Sequence, residues 1–184
     1  IGSITEHKGD GQLIREAGEE LSTAMDVAIQ SFDDVRTANG RLKITFEDTT
    51  NLSLTEHSKI IIDDFVYDPG SSDNKIALTF AQGTARFATG ALGLVPKENI
   101  RIQTPTATIG IRGTDFTATV DELGRSLVIL LPDERTGQSS GEITVTNDGG
   151  VVVLNEPWQA TMVSTLETVP TKPTTLVGVD INLI

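Results

Sequence analysis

The chain alternates apolar and polar residues with a period of two along most of its length, and this pattern constrains the fold more than any other property. Leu42, Ile44 and Phe46 alternate with Arg41, Lys43 and Thr45, and Leu52 and Leu54 resume the pattern. Ile76, Leu78 and Phe80 repeat it, then Ala85, Phe87 and Thr89 run on to Gly90. Successive side chains of a strand point to opposite faces, so such segments form strands with one face in a core. Clusters of turn formers interrupt them: Asp48-Thr49-Thr50-Asn51, the stretch Asp68 to Asn74, and Asp121-Glu122-Leu123-Gly124. Asn147-Asp148-Gly149-Gly150 lies between two apolar runs and predicts a tight hairpin, because Asp and Gly accept positive φ. Strands recurring about every 8–12 residues predict an all-β chain, folded as a sandwich, barrel or β-solenoid-like stack.

Some segments depart from this period. Residues 1–16 hold Ile4, a Gly9-Asp10-Gly11 turn and Leu13-Ile14, and read as a short hairpin. Over 17–31, Leu21, Met25 and Ile29 recur at a spacing that lines one face of a short helix, while Val27 and Ile29 also fit a loop followed by a strand. Leu127 to Leu131 is a continuous apolar run, expected of a strand buried on both faces. The polar stretch Pro132 to Gly141 reads as an insertion.

Composition narrows the function classes. Net charge is −12, so no basic stripe is present to displace counterions from nucleic acid, and an anionic membrane surface is equally disfavoured. The chain has no Cys, which excludes disulfides and thiolate zinc sites. No apolar run reaches the ~18 residues of a membrane-spanning helix, so no membrane insertion is expected. The first residue is Ile1 and not Met, which suits an exported chain whose signal has been removed.

Thr104-Pro105-Thr106-Ala107-Thr108-Ile109-Gly110-Ile111-Arg112-Gly113-Thr114-Asp115-Phe116 is the most specific motif. It contains no nucleophile–base pair and no metal-ligand spacing; it reads as a tightly turned β segment. It resembles the signature of the FecR-like domain family, carried by Thr104, Pro105, Gly110, Arg112, Gly113, Thr114 and Phe116. Val35-Arg36-Thr37 followed by Leu42 to Phe46 resembles that family's early strand pair, and Phe80 to Phe87 a later strand around Gly83. Glu142 to Ala160 is similar to its closing hairpin. Asp48-Thr49-Thr50 stands where the family has Asp-Gly-Thr, with the Gly replaced. The likeness spans about residues 4–163. It implies a β-solenoid-like fold outside the cytoplasm. The best-known members are membrane-spanning regulators whose periplasmic part receives a signal from an outer-membrane siderophore transporter and controls a sigma factor. Anti-sigma helices and a transmembrane helix are not seen in this chain, and other proteins with the domain include phage virion proteins.

Arg112, between two glycines, could hold an anion, but a guanidinium in a close turn is expected to bond backbone carbonyls and Asp115. Thr104, Thr106, Thr108 and Thr114 could form a hydroxyl ladder, or cap turns. His7 and His57 have no positioned nucleophile and read as surface residues. Asp33-Asp34, Asp63-Asp64 and Asp68 with Asp73 could bind Ca²⁺, though none has the spacing of a known calcium loop. No cofactor and no catalytic residue is expected, and paired acids for polysaccharide cleavage would lack aromatic sugar platforms. Trp158 is expected to plug one end of the core.

The chain divides into a β domain over 1–163 and, over 164–184, a Pro/Thr linker with a terminal amphipathic strand. Val177, Val179, Ile181 and Leu183 share one face of that strand. It either folds back on its own sheet or inserts at the edge of a neighbouring subunit. From these features the expected function is a non-enzymatic subunit or decoration of an extracellular or virion assembly. It would associate through β-edges as a homo-oligomer or filament, secreted or on a cell or virion surface. The alternative is a periplasmic sensing domain of an iron-siderophore signalling system.

Overall fold

The period-two pattern becomes strand after strand in the computed structural model, which describes residues 1–71, 73–94 and 96–178. Among these residues seventeen strands form. In chain order they are β1 (Gly2–Lys8), β2 (Gly11–Ile14), β3 (Glu20–Ser22), β4 (Ala28–Ile29), β5 (Asp34–Thr37), β6 (Arg41–Phe46), β7 (Asn51–Leu54), β8 (Lys59–Val66) and β9 (Lys75–Ala88). They continue with β10 (Ile100–Gln103), β11 (Thr108–Arg112), β12 (Asp115–Val120), β13 (Ser126–Leu130), β14 (Glu142–Asn147), β15 (Gly150–Leu154), β16 (Gln159–Val163) and β17 (Thr174–Thr175). The all-β expectation holds.

Two sheets result. Sheet I runs β4-β1-β6-β7-β9-β12-β13-β16-β17, antiparallel throughout. Sheet II runs β3-β2-β5-β8-β9-β10-β11-β14-β15, with β9–β10 as its parallel pair. The chain lays hairpins alternately on the two sheets, so the molecule is a sandwich stack that grows along one axis. One face of each strand enters a shared core that includes Ile4, Ile44, Leu52, Leu54, Ile60, Ile62, Leu78, Phe80, Ile109, Phe116, Val128 and Leu154. Phe46 of sheet I stacks on Phe65 of sheet II at 5.0 Å between ring centres. Phe87 and Phe116, register partners on neighbouring strands, stack at 4.8 Å. Each such pair adds about 0.5–1.5 kcal/mol to what burial alone contributes.

The fourteen-residue β9 serves both sheets. Up to Gln82 it pairs with β8 and, near its start, with β10; from Gly83 it pairs with β7 and β12. The chain bends at Gly83, where φ is +99° and a Cβ would lie 2.1 Å from Ser58 Oγ and 2.5 Å from Ser58 Cα. The 104–116 signature makes the next crossing. β10 and β11 form a hairpin in sheet II, the chain crosses at Gly113-Thr114, and β12 joins sheet I. Gly141 presses on this crossing so closely that a Cβ would stand 2.1 Å from the Gly113 carbonyl oxygen.

Several local expectations change. Residues 17–31 carry β3 and β4 and no helix, because Leu21 pairs opposite Leu13 and Ile29 opposite Gly2. Residues 1–16 are not a hairpin: β1 pairs with β4 and β6 in sheet I, while β2 lies in sheet II. The Gly9-Asp10 turn is a crossing between layers. β13 is buried on one face only, with Leu127 and Ile129 half-buried on the other. The hairpin at 147–150 forms as expected, and 132–141 is a loop between β13 and β14.

The Asp48-Thr49-Thr50 turn forms with Thr49 at a positive φ of the kind that favours glycine. Asp48, 1% exposed, accepts from Thr50 N–H at 3.0 Å, Thr50 Oγ1–H at 2.6 Å and Leu92 N–H at 3.0 Å. Thr49 between them is forced to φ +70°, a conformation that costs a β-branched residue roughly 1–2 kcal/mol. Its side chain is exposed.

Two predictions follow from these backbone positions. Gly83→Ala should lower stability by more than the ~1–2 kcal/mol that the left-handed conformation alone costs, because Ser58 backbone must also move; urea unfolding measures it. Thr49→Gly should raise stability by about 0.5–1 kcal/mol, the relief of strain exceeding the added freedom of the unfolded chain. An unchanged or lower urea midpoint would refute that sign.

Candidate functional site

The signature is built as a scaffold. Thr104 closes the β10–β11 turn: its Oγ1 donates to the Ala107 carbonyl at 3.1 Å and accepts from Ala107 N–H at 3.0 Å. Ser126 Oγ–H donates to Thr104 Oγ1 at 2.7 Å, and Thr106 Oγ1 lies 2.7 Å from the same serine and 3.3 Å from the Val163 carbonyl. All these side chains are buried. The hydroxyls therefore knot β10–β11, β13 and β16 together, and no ladder facing solvent forms. Thr108 is a half-buried strand residue. Thr114 N–H donates to Thr89 Oγ1 at 2.9 Å, and its hydroxyl lies 3.1 Å from Ser140 Oγ. Pro105 sits on the exposed turn, Gly110 on the outer face of β11, and Phe116 is fully buried.

Arg112 does not bond Asp115. It is exposed at the end of β11, in register with Glu142 of β14. Asp115 points from β12 to the neighbouring β9, where Arg86 grips it with Nε–Oδ1 at 3.1 Å and Nη2–Oδ2 at 2.6 Å. Arg86 also reaches Glu134 at 2.7 Å. The hydrogen bond to Asp115, with that to Glu134, raises the guanidinium pKa, so the charge is permanent.

Arg86 opens onto a concave feature of the surface. A groove of about 500 Å³ runs over the outer face of sheet I, lined by Glu6, His7, Lys8, Arg41, Leu42, Lys43, Ser53, Leu54, Thr55, Thr84, Arg86 and Thr117. A smaller hollow continues it over Asn51, Ala88 and Glu134. Register explains the gathering. Glu6, Lys43, Ser53, Arg86 and Thr117 lie in one row across β1, β6, β7, β9 and β12, and Lys8 pairs with Arg41. Lys43 donates to Glu6 at 2.6 Å, which holds the Glu6 carboxyl below its ordinary pKa. Lys8 and Arg41 have no ion pair among the described residues. The groove is thus locally cationic in a chain of net charge −12. A wider depression of about 940 Å³ on sheet II mixes Asp64, Asp73 and Glu98 with Lys75 and Arg101, and has no dominant sign.

The remaining candidates disperse. His7 Nε2 lies 2.9 Å from Thr23 Oγ1 and ties β1 to the 23–27 loop; His57 occupies a tight turn at φ +55°. Asp34 pairs with Arg36 and Lys59, Asp64 with Lys75, Asp63 accepts from Thr79, and Asp68 accepts from Gly70 N–H within its own loop. Among the described residues no three His, Asp or Glu side chains converge as a cation site. Trp158 is half-buried at a φ +65° turn and does not belong to the core; its backbone bridges Leu130 and Leu176. β17 pairs with β16 of its own chain. Val177 is 89% exposed, and Val179, Ile181 and Leu183 lie outside the described residues.

Comparison with known proteins decides the lineage. The FecR protein family matches residues 33–132. The chain belongs to that family. Two solved structures of an anti-sigma factor, provisionally so assigned, from Parabacteroides distasonis ATCC 8503 resemble the fold. Their TM-scores are 0.54 and 0.55, at 14% identity over 77% of this chain. The chain spans 59% of the length of those proteins. A comparison with curated proteins gave no match.

This FecR assignment corrects the expected function. The expected structural subunit of a virion, filament or self-assembling coat is overturned by the match to the FecR protein family, with which the likeness to solved proteins described as anti-sigma factors agrees; both favour the sensing alternative. The domain is extracytoplasmic, as expected. The sequence reading missed the cationic groove. Its visible trace was Arg41 and Lys43 on the outward side of the Leu42-Ile44-Phe46 alternation; Lys8 and Arg86 arrive only through strand pairing.

The FecR segment begins at a strained acid. Asp33 is fully buried; its Oδ2 accepts from Gln30 N–H at 2.7 Å and pairs with Arg15, while Oδ1 has no partner among the described residues. Burial raises its pKa above the ordinary 3.8, more than Gln30 and Arg15 lower it. The folded chain therefore holds this proton more tightly than the unfolded chain. The contribution of Asp33 to stability is complete below pH 3.8 and is lost as pH rises through the raised value. Asp33→Asn should remove that component. The melting temperature of the wild type relative to Asp33→Asn should fall from pH 3 to pH 6, and parallel pH profiles would refute the assignment.

Proposed function

We propose that the chain is the periplasmic sensing domain of a membrane-anchored regulatory system, working by protein–protein contact and not by catalysis. The family match over residues 33–132 carries this reading. The fold supports it. A rigid double sheet with a buried hydroxyl knot at its signature suits transmission of a docking event, and the reactive-looking side chains are engaged in structural pairs. The resemblance to siderophore regulators supplies the class of signal: an outer-membrane transporter on one side, and a sigma factor across the membrane on the other.

Acting as a relay requires no bound cofactor; the domain needs surfaces. Deleting the segment encoding residues 33–163 in the native host, with the reading frame kept, should leave the sigma-dependent promoters either uninducible or constitutively active. Transcript levels with and without the inducing siderophore measure this. Normal induction in the deletion strain would refute the reading.

A further inference from the structure

We propose that the groove around Lys8, Arg41, Lys43 and Arg86 is a docking surface for an acidic segment of a partner protein. That the occupant is a protein rests on the regulatory reading above; that it is acidic and extended rests on the charge and shape of the groove.

Charge is the first argument. The chain holds 14 Lys and Arg against 26 Asp and Glu, yet four of those cations and His7 line one groove. Lys8 and Arg41, neighbours in register, are exposed and without ion pairs among the described residues. Two cations without a direct ion pair, held about 5 Å apart by strand pairing and with Arg41 only partly offset at longer range by Glu6, leave a local excess that an incoming carboxylate can neutralise.

The other two cations are neutralised by partners that can leave. Lys43 is held by Glu6, whose side chain is 68% exposed, and Arg86 by Glu134, 64% exposed, on the 132–141 loop. Ion pairs this exposed are weak and readily exchanged. Asp115, at 15% exposure and gripped by two donors, stays. Glu6 and Glu134 therefore occupy the positions that the carboxylates of a docking segment would take, and they swing away when it arrives.

Shape selects among polyanions. The row from Glu6 to Thr117 crosses five strands, four steps of about 4.8 Å, or roughly 19 Å. That length matches about six residues of extended chain. A compact anion would need buried donors converging on a point, and these cations are spread and open. A long polyanion would run beyond the groove over a surface of opposite preference, because the rest of the chain is strongly acidic. Ser53, Thr55, Thr84 and Thr117 line the floor with hydroxyls suited to peptide amides and carboxylates. The lining contains no Phe, Tyr or Trp for stacking bases or sugars.

The test uses the full chain and a fluorescein-labelled decapeptide of alternating Asp and Glu, followed by anisotropy. Saturable binding is expected, weakening at least tenfold between 50 and 500 mM NaCl. Lys8→Glu/Arg41→Glu should weaken it at least tenfold, and Glu6→Gln/Glu134→Gln should tighten it severalfold. Arg101→Glu/Lys172→Glu, with the same change in net charge on other surfaces, should weaken it less than threefold. Circular dichroism melts verify that each variant is folded. Absence of peptide binding overturns the proposal, as does equal weakening by the two charge-reversed pairs. Tighter binding of oligo-dT, oligogalacturonate or inorganic phosphate, dependent on Lys8 and Arg41, reassigns the groove and also overturns it. So does salt-sensitive self-association that Lys8→Glu/Arg41→Glu abolishes, which would make a second copy the occupant. Binding of the peptide together with normal promoter induction in the deletion strain would uphold the groove and sink only the regulatory reading.

Discussion

The molecule depends on a strand that belongs to both of its sheets. β9 is hydrogen-bonded to β8 and β10 before its bend, and to β7 and β12 after it. The bend at Gly83 leaves no room for a Cβ against Ser58, so one backbone contact sets how the two layers face each other. Phe80 lies before the bend and Phe87 after it, and both enter the common core. Layers joined by a continuous strand cannot slide independently, and interiors this closely packed respond by discrete rearrangement and not by gradual deformation.

The same logic explains the signature. Its residues were the most informative in the chain, and they turn out to hold a crossing together. The Thr104–Thr106–Ser126 hydroxyls satisfy the inward side of a turn whose Pro105 faces out; on that buried side an unpaired polar group would cost about 1–3 kcal/mol. Gly113 and Gly141 let two backbone segments meet at the change of layer. Such positions tolerate little variation for reasons of packing, which leaves specificity to surfaces elsewhere. The groove on sheet I has the opposite character: exposed side chains, exchangeable ion pairs and a rigid floor. The proposed relay role would draw on this division, with a stiff body to transmit a contact and a soft polar face to make it.

Strand identity was legible because the period is local. Leu42-Ile44-Phe46 and Ile76-Leu78-Phe80 show their buried side in any order of pairing. The hairpin at 147–150 was equally plain, since its turn residues are adjacent. Where the reading slipped, the deciding partner was distant. Residues 17–31 fit a helix by spacing, but opposing strands from 2–14 capture Leu21 and Ile29. Arg112 looked like the partner of Asp115 three residues on. Strand geometry instead sends the Asp115 side chain toward Arg86, twenty-nine residues away. Thr49 holds a positive φ that suits glycine, because Asp48 and its three donors outweigh the strain of one residue.

An all-β chain and a FecR relative were legible from the sequence alone, since alternation, turn chemistry and the 104–116 motif are all encoded between near neighbours. Its charge sign was equally certain, but not where that charge falls. Only the tertiary structure gathered Lys8, Arg41, Lys43 and Arg86 on one face and buried Asp33 beside Arg15. The physical reason is register. Pairing between strands far apart in the chain is chosen by which apolar faces fit together in the core, and the outward residues are carried along to wherever that choice places them.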